Sequence, residues 1–155
     1  MQFIAQLCAG IVAGVLMSAA VEKRLAVTET QQSLVAWRLP ASLNAVRVLY
    51  ASEVFTAMAI LFVPSWGAIL GLIVMVVFTA ALLIALARGQ KVPCPCFGVN
   101  TSEISMMLVV RNALLLAGCV VGQYAENGAG FFLRFFVFAC TVAILLRNRW
   151  NLRVG

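Results

Sequence analysis

Cys94 and Cys96 stand on either side of Pro95, with Pro93 just before them, so two thiols share a stiff stretch that cannot be regular helix. A sulfur pair this close invites a disulfide. A bridge across one intervening residue closes a small ring of unfavourable geometry, which makes it strained and oxidising, as exchanging disulfides are. Arg88 and Lys91 nearby would favour the thiolate. Two other readings stay open at this point, inert loop thiols and half of a metal site. The remaining cysteines, Cys8, Cys119 and Cys140, all fall within apolar runs. A four-cysteine site would have to draw a ligand from depth, so no metal is expected. Cys8 and Cys119 are conceivable as a second redox pair, but packing as small apolar residues is the expected role of each. The sequence has no His, which excludes histidine acid/base chemistry, Ser-His-Asp triads and haem or zinc held by His. No cofactor beyond the cysteine pair is expected, and quinone use is not legible.

The second group of candidates is polar residues stranded in apolar runs. Glu53, Arg111 and Asn112 each interrupt one. A charge inside a bilayer costs at least about 2.5 kcal/mol, so it demands a partner. Counted from the charged ends of their runs, Glu53 and Arg111 lie at depths of about 12 and about 10 Å. The expectation is a Glu53–Arg111 ion pair facing the bundle interior, with Asn112 adding hydrogen bonds between helices. Such a pair is structural cement, or it holds a polar cavity beneath the cysteines, where a carboxylate could serve proton movement. Lys23 and Arg47 are expected to snorkel to one interface and Arg134 to the other. Gly10 and Gly14, like Gly67 and Gly71, are four residues apart, a spacing that permits close helix contact.

The elements that must position these groups follow from composition. Of 155 residues, 64% are hydrophobic and 10% charged, with a mean hydropathy of +1.06. Soluble domains carry about a quarter charged residues, so the chain is read as dissolved in lipid. The fold class is all-α: a polytopic membrane bundle of four to five transmembrane helices, each of about 20 residues. One integral-membrane domain covers residues 1–155, with spans at about 3–21, 45–63, 68–87, 104–121 and 131–146 and a cysteine loop at 88–102. The first run is read as a retained span, because only Met1 and Gln2 precede it. Residues 22–44 read as a loop holding a short surface helix that Pro40 ends, and residues 64–67 as a turn. Thr101 or Ser102 could cap the fourth span, with Glu103 in its first turn.

The net charge of +6 comes from basic residues scattered singly between apolar runs, so the lipid bilayer, not nucleic acid, is the expected partner. Lys23, Arg24, Arg38, Arg88, Lys91, Arg147, Arg149 and Arg153 fall on one side of a five-span bundle. By the positive-inside rule that side is cytoplasmic, and the cysteine loop lies there.

The segment Cys94-Pro95-Cys96-Phe97-Gly98, after an apolar run ending Arg88-Gly89, resembles the MauE family of methylamine utilisation membrane proteins. In that family a Cys-x-Cys-Phe-Gly loop follows a helix ending in Arg-Gly. Lys23, Pro40, Glu53 and Arg111-Asn112 are further matches, so the resemblance covers roughly residues 3 to 121. It implies a bacterial inner-membrane protein, similar to the DoxX-like four-helix group, that aids disulfide formation, export or maturation of a periplasmic client. The small subunit of methylamine dehydrogenase is the client it points to. Cys94 and Cys96 would then be the redox pair of a thiol–disulfide oxidoreductase, supported by Glu53, Arg111 and Asn112. With the loop at the cytoplasmic face and the client in the periplasm, reducing equivalents would have to cross the membrane. The rival readings are a small transporter or channel built on Glu53 and Arg111, and a non-catalytic membrane scaffold.

Overall fold

The computed structural model describes residues 1–38, 40–88, 106–125 and 130–154, and all regular structure among them is α-helical. The elements are α1 (Gln2–Leu25), α2 (Val27–Ala36), α3 (Leu43–Phe62), α4 (Pro64–Ala87), α5 (Met106–Gly122) and α6 (Phe131–Val154). Cys94, Cys96 and the proposed cap at Thr101 to Glu103 lie outside the described residues.

Four boundaries differ from those expected: α6 runs on past residue 146 to Val154, and the other three differ each for a local reason. First, α1 does not stop at Val21. Between Val21 and Val27 there is no proline or glycine, so the helix carries Glu22, Lys23 and Arg24 as its last turn before Leu25. Second, α2 ends at Ala36, ahead of Pro40. Arg38 takes the left-handed conformation (φ 57°) and its N–H donates to the Val35 carbonyl, closing the helix without a glycine. Pro40 falls in the link to α3, whose first turn is capped by Ser42 Oγ accepting from the Ala45 N–H at 3.1 Å. Third, Pro64 to Gly67 form the first turn of α4 and not a separate turn. Proline at the first helical position gives up no intrahelical hydrogen bond there.

α1, α3 and α4 are each long and apolar enough to cross a bilayer, and α5 is a shorter apolar helix. α6 contains the whole of the expected fifth span. The arrangement is a helical membrane bundle with α1 at its centre. α1 packs most extensively against α6, then α3, then α5, while α4 closes the other side against α3 and α5. Its core face is made of small residues, Ala5, Ala9, Ala13, Ala19 and Ala20, with Val12 and Leu16 between them. Small side chains let helix backbones approach closely, the main source of association where lipid removes the hydrophobic drive. Large apolar side chains such as Phe55, Ile73, Val77, Leu114, Phe136 and Ile144 point outward, as a lipid-facing surface requires.

The glycines set helix direction. A Cβ on Gly10 would sit 2.8 Å from the Arg134 carbonyl oxygen, and one on Gly14 2.7 Å from Thr141 Cβ, so α1 and α6 run parallel in close contact. Gly67 abuts the backbone of Ala59 and Ile60, and Gly71 faces Ile60 and Thr56, which makes α3 and α4 a tight antiparallel hairpin. Gly118 meets Val12 and Gly122 meets Ala9, so α5 runs against α1. The expected use of Gly10, Gly14, Gly67 and Gly71 for close contact is thus what the bundle does with them.

Candidate functional site

Helix direction fixes what shares an end of the bundle. Leu25, Leu43, Ala87 and Met106 lie at one end, so α4 stops and α5 starts at the same end of the bundle as the last turn of α1. The sequence between α4 and α5 carries Cys94 and Cys96. At this end the helices hold a buried ion pair. Lys23 Nζ lies 2.7 Å from Glu53 Oε1, with the side chains 2% and 1% exposed.

This arrangement corrects two expectations. Glu53 does not pair with Arg111, and Lys23 does not snorkel to the interface. Depth along a span is the same whichever neighbour is chosen, and α3 and α5 each pack on α1 and α4 but hardly on one another. Glu53 therefore finds its cation on α1, where the unexpected extra turn of helix carries Lys23 inward. The structure pairs Glu53 with Lys23 instead of Arg111.

Asn112 is buried, as an interhelical polar group should be, and so are Glu22, Ser18 and Thr56. Ser18 Oγ donates to the Gly14 carbonyl at 2.8 Å and Thr56 Oγ1 to the Ser52 carbonyl at 2.7 Å, so both hydroxyls are satisfied within their own helices. The contacts of Gly118 with Val12 and of Gly122 with Ala9, continued along α5, bring Arg111 and Asn112 to the level of Ser18 and Ala19, about one turn from Glu22. The charged end thus gathers Glu22, Lys23, Glu53, Arg111 and Asn112 within two helical turns of one another along the bundle axis. Glu53 Oε2 accepts no hydrogen bond among the described residues.

The opposite end holds a different polar pair that sequence reasoning missed. Arg134 is 1% exposed, its Nη1 donates to Gln6 Oε1 at 2.9 Å, and its guanidinium lies 5.9 Å from the centre of the Phe131 ring. The expected snorkelling of Arg134 is therefore also corrected. Gly130 opens the space, since a Cβ there would run into the Gln6 amide. One signal was available. Gln6, Gly10 and Gly14 recur every four residues on one face of α1, and that face is the seam with α6.

Cys8, Cys119 and Cys140 are free thiols. Cys119 is fully buried with its sulfur against the space left by Gly71, a packing contact between α5 and α4. A cavity of about 390 Å³ opens at the charged end among Lys23, Arg24, Arg47 and Tyr50. A larger one, about 680 Å³, lies at the other end beside Gln2, Ser65, Gln123 and Tyr124.

Compared with known proteins, the chain matches no curated protein and no solved structure. A family model does match it, over residues 1–125, which takes in α1 to α5 and with them Lys23, Glu53, Asn112 and the cysteine segment. The chain belongs to the family described as methylamine utilisation protein MauE, and with its apolar helices it is a membrane protein associated with methylamine utilisation.

Proposed function

We propose that this protein is a thiol–disulfide redox protein of the bacterial inner membrane, acting through Cys94 and Cys96 on an exported, cysteine-containing client. The small subunit of methylamine dehydrogenase is the client that the family suggests. What supports the reading is the family match over residues 1–125, which spans Cys94 and Cys96 in sequence, together with a buried Lys23–Glu53 pair at the end where α4 stops and α5 starts.

In the exchange, a client thiolate attacks one sulfur of the Cys94–Cys96 disulfide and forms a mixed disulfide, releasing the other sulfur as thiolate. A second client thiolate then displaces the first link. The client leaves with a disulfide, and two electrons and two protons remain on Cys94 and Cys96. Return to the oxidised form needs a second disulfide of higher potential as acceptor. Glu53, held by Lys23, is a carboxylate at this end that would take or give a proton in the exchange.

Trapping tests the proposal. In Cys94→Ser or Cys96→Ser the one remaining thiolate should attack the disulfide of the oxidised client or of the acceptor and, with no neighbouring sulfur to displace the link, accumulate an adduct that thiols cleave on a non-reducing gel. Absence of adducts from both variants, with both thiols of the wild type permanently open to alkylation in cells, would overturn it. Transport or scaffolding would instead survive loss of both cysteines.

A further inference from the structure

The cavity at the charged end is not used by the exchange chemistry, and its lining is chemically specific. Arg24, near the end of α1, and Arg47, in the second turn of α3, converge on it together with Tyr50 and the apolar side chains of Val27, Leu43 and Val46. The Arg24 guanidinium stands 6.0 Å from the centre of the Tyr50 ring, a cation–π contact that fixes one wall. Lys23 lines the floor, its charge already met by Glu53. Neither Arg24 nor Arg47 has a carboxylate partner among the described residues, so the mouth carries two uncompensated positive charges. Both are exposed, and the apolar surface beside them, Leu25 and Val48, is exposed as well, so the cavity opens toward lipid.

We infer that this cavity is a binding site for the headgroup of an anionic phospholipid. A guanidinium within a few turns of a bilayer surface needs a counter-charge, and an anionic headgroup, whose phosphate is not offset by an ammonium of its own, supplies one at that depth. Two guanidinium groups across a cavity of about 390 Å³ can share one phosphate, and the planar fork of arginine suits its oxygens. Tyr50 sits at the boundary where an amphipathic ring meets headgroup and acyl chain. Val27, Leu43 and Val46 give the glycerol and upper chain an apolar wall. The site would tie the ends of α1 and α3 together from outside, beside the ion pair that ties them from within.

The test uses the full chain in neutral-lipid nanodiscs, with phosphatidylglycerol, phosphatidylcholine or inorganic phosphate as probes and bound lipid read by native mass spectrometry. Phosphatidylglycerol should bind in preference to phosphatidylcholine, and inorganic phosphate should not displace it. Each arginine near the surface is worth about fivefold in affinity, so Arg24→Gln with Arg47→Gln should weaken phosphatidylglycerol binding by about 30-fold. Helical circular dichroism should be unchanged. Arg38→Gln, at the same end but outside the cavity, should keep wild-type affinity. Equal binding of both lipids would overturn the inference, as would the same loss with Arg38→Gln, full affinity in the double variant, or displacement by inorganic phosphate.

Discussion

The two ends of the bundle bury a cation in opposite ways. At one, Lys23 meets a full negative charge on Glu53 across the α1–α3 seam. At the other, Arg134 donates to the neutral oxygen of Gln6 and lies against the face of Phe131, its partners among the described residues. Both cations are equally hidden, so burial alone does not separate them. What separates them is what would be left behind if a partner were removed. The first end would keep a buried charge that had lost its opposite charge in the ion pair, whereas the second would keep an arginine that had lost one hydrogen bond to a neutral group. The ion pair lies at the end where α4 stops and α5 starts.

The largest effect should come from breaking the ion pair. Lys23→Met or Glu53→Leu alone should each cost about 3–5 kcal/mol of stability, measured by reversible unfolding in detergent, because the surviving charge stays buried. The double change should return to within about 1–2 kcal/mol of wild type, since an apolar pair carries no desolvation cost. If the double variant is no better than the singles, the pairing is wrong. Gln6→Leu should be milder, about 1.5–3 kcal/mol, the scale of one hydrogen bond to a charged group. Arg134→Met should cost less than Gln6→Leu, because it removes the charge together with its need for a partner. The reverse order in melting temperatures would show the two ends to be alike after all.

The glycine contacts sharpen the comparison at a smaller scale. Gly14→Ala places a methyl against Thr141 in the tightest part of the α1–α6 seam and should cost about 1–3 kcal/mol. Gly122 faces Ala9 across ordinary van der Waals space, 3.7 Å, so Gly122→Ala should leave stability unchanged or raise it by up to about 1 kcal/mol. Equal losses from both would mean that the seams are packed alike.

The fold was legible wherever hydrophobicity runs long without a breaker. The cores of α3, α4, α5 and α6 fall where unbroken apolar runs require helix, and Glu53 and Asn112 stood out because lipid has no place for them. The ends were less legible. Glu22 to Leu25 read as a loop by polarity, yet a lysine stem and a paired carboxylate can be carried inside by a helix that nothing interrupts. The identity of Glu53's partner was not legible at all. Lys23 and Arg111 are each within about a turn or two of its level, and the sequence holds height along the axis but not which helices touch.

The amino-acid sequence by itself determined that this chain is a membrane protein, that its regular structure is helical, and that it resembles the MauE family. These follow from local properties: apolar length, the backbone limits of proline and the spacing of two sulfurs. The tertiary structure alone decided that α1 is the central helix, that Lys23 and not Arg111 neutralises Glu53, and that Gln6 receives Arg134. Those outcomes depend on which faces can come close, and here the close approaches run along stripes of glycine and alanine. A small residue shows in the sequence, but the backbone that moves into the space it leaves does not.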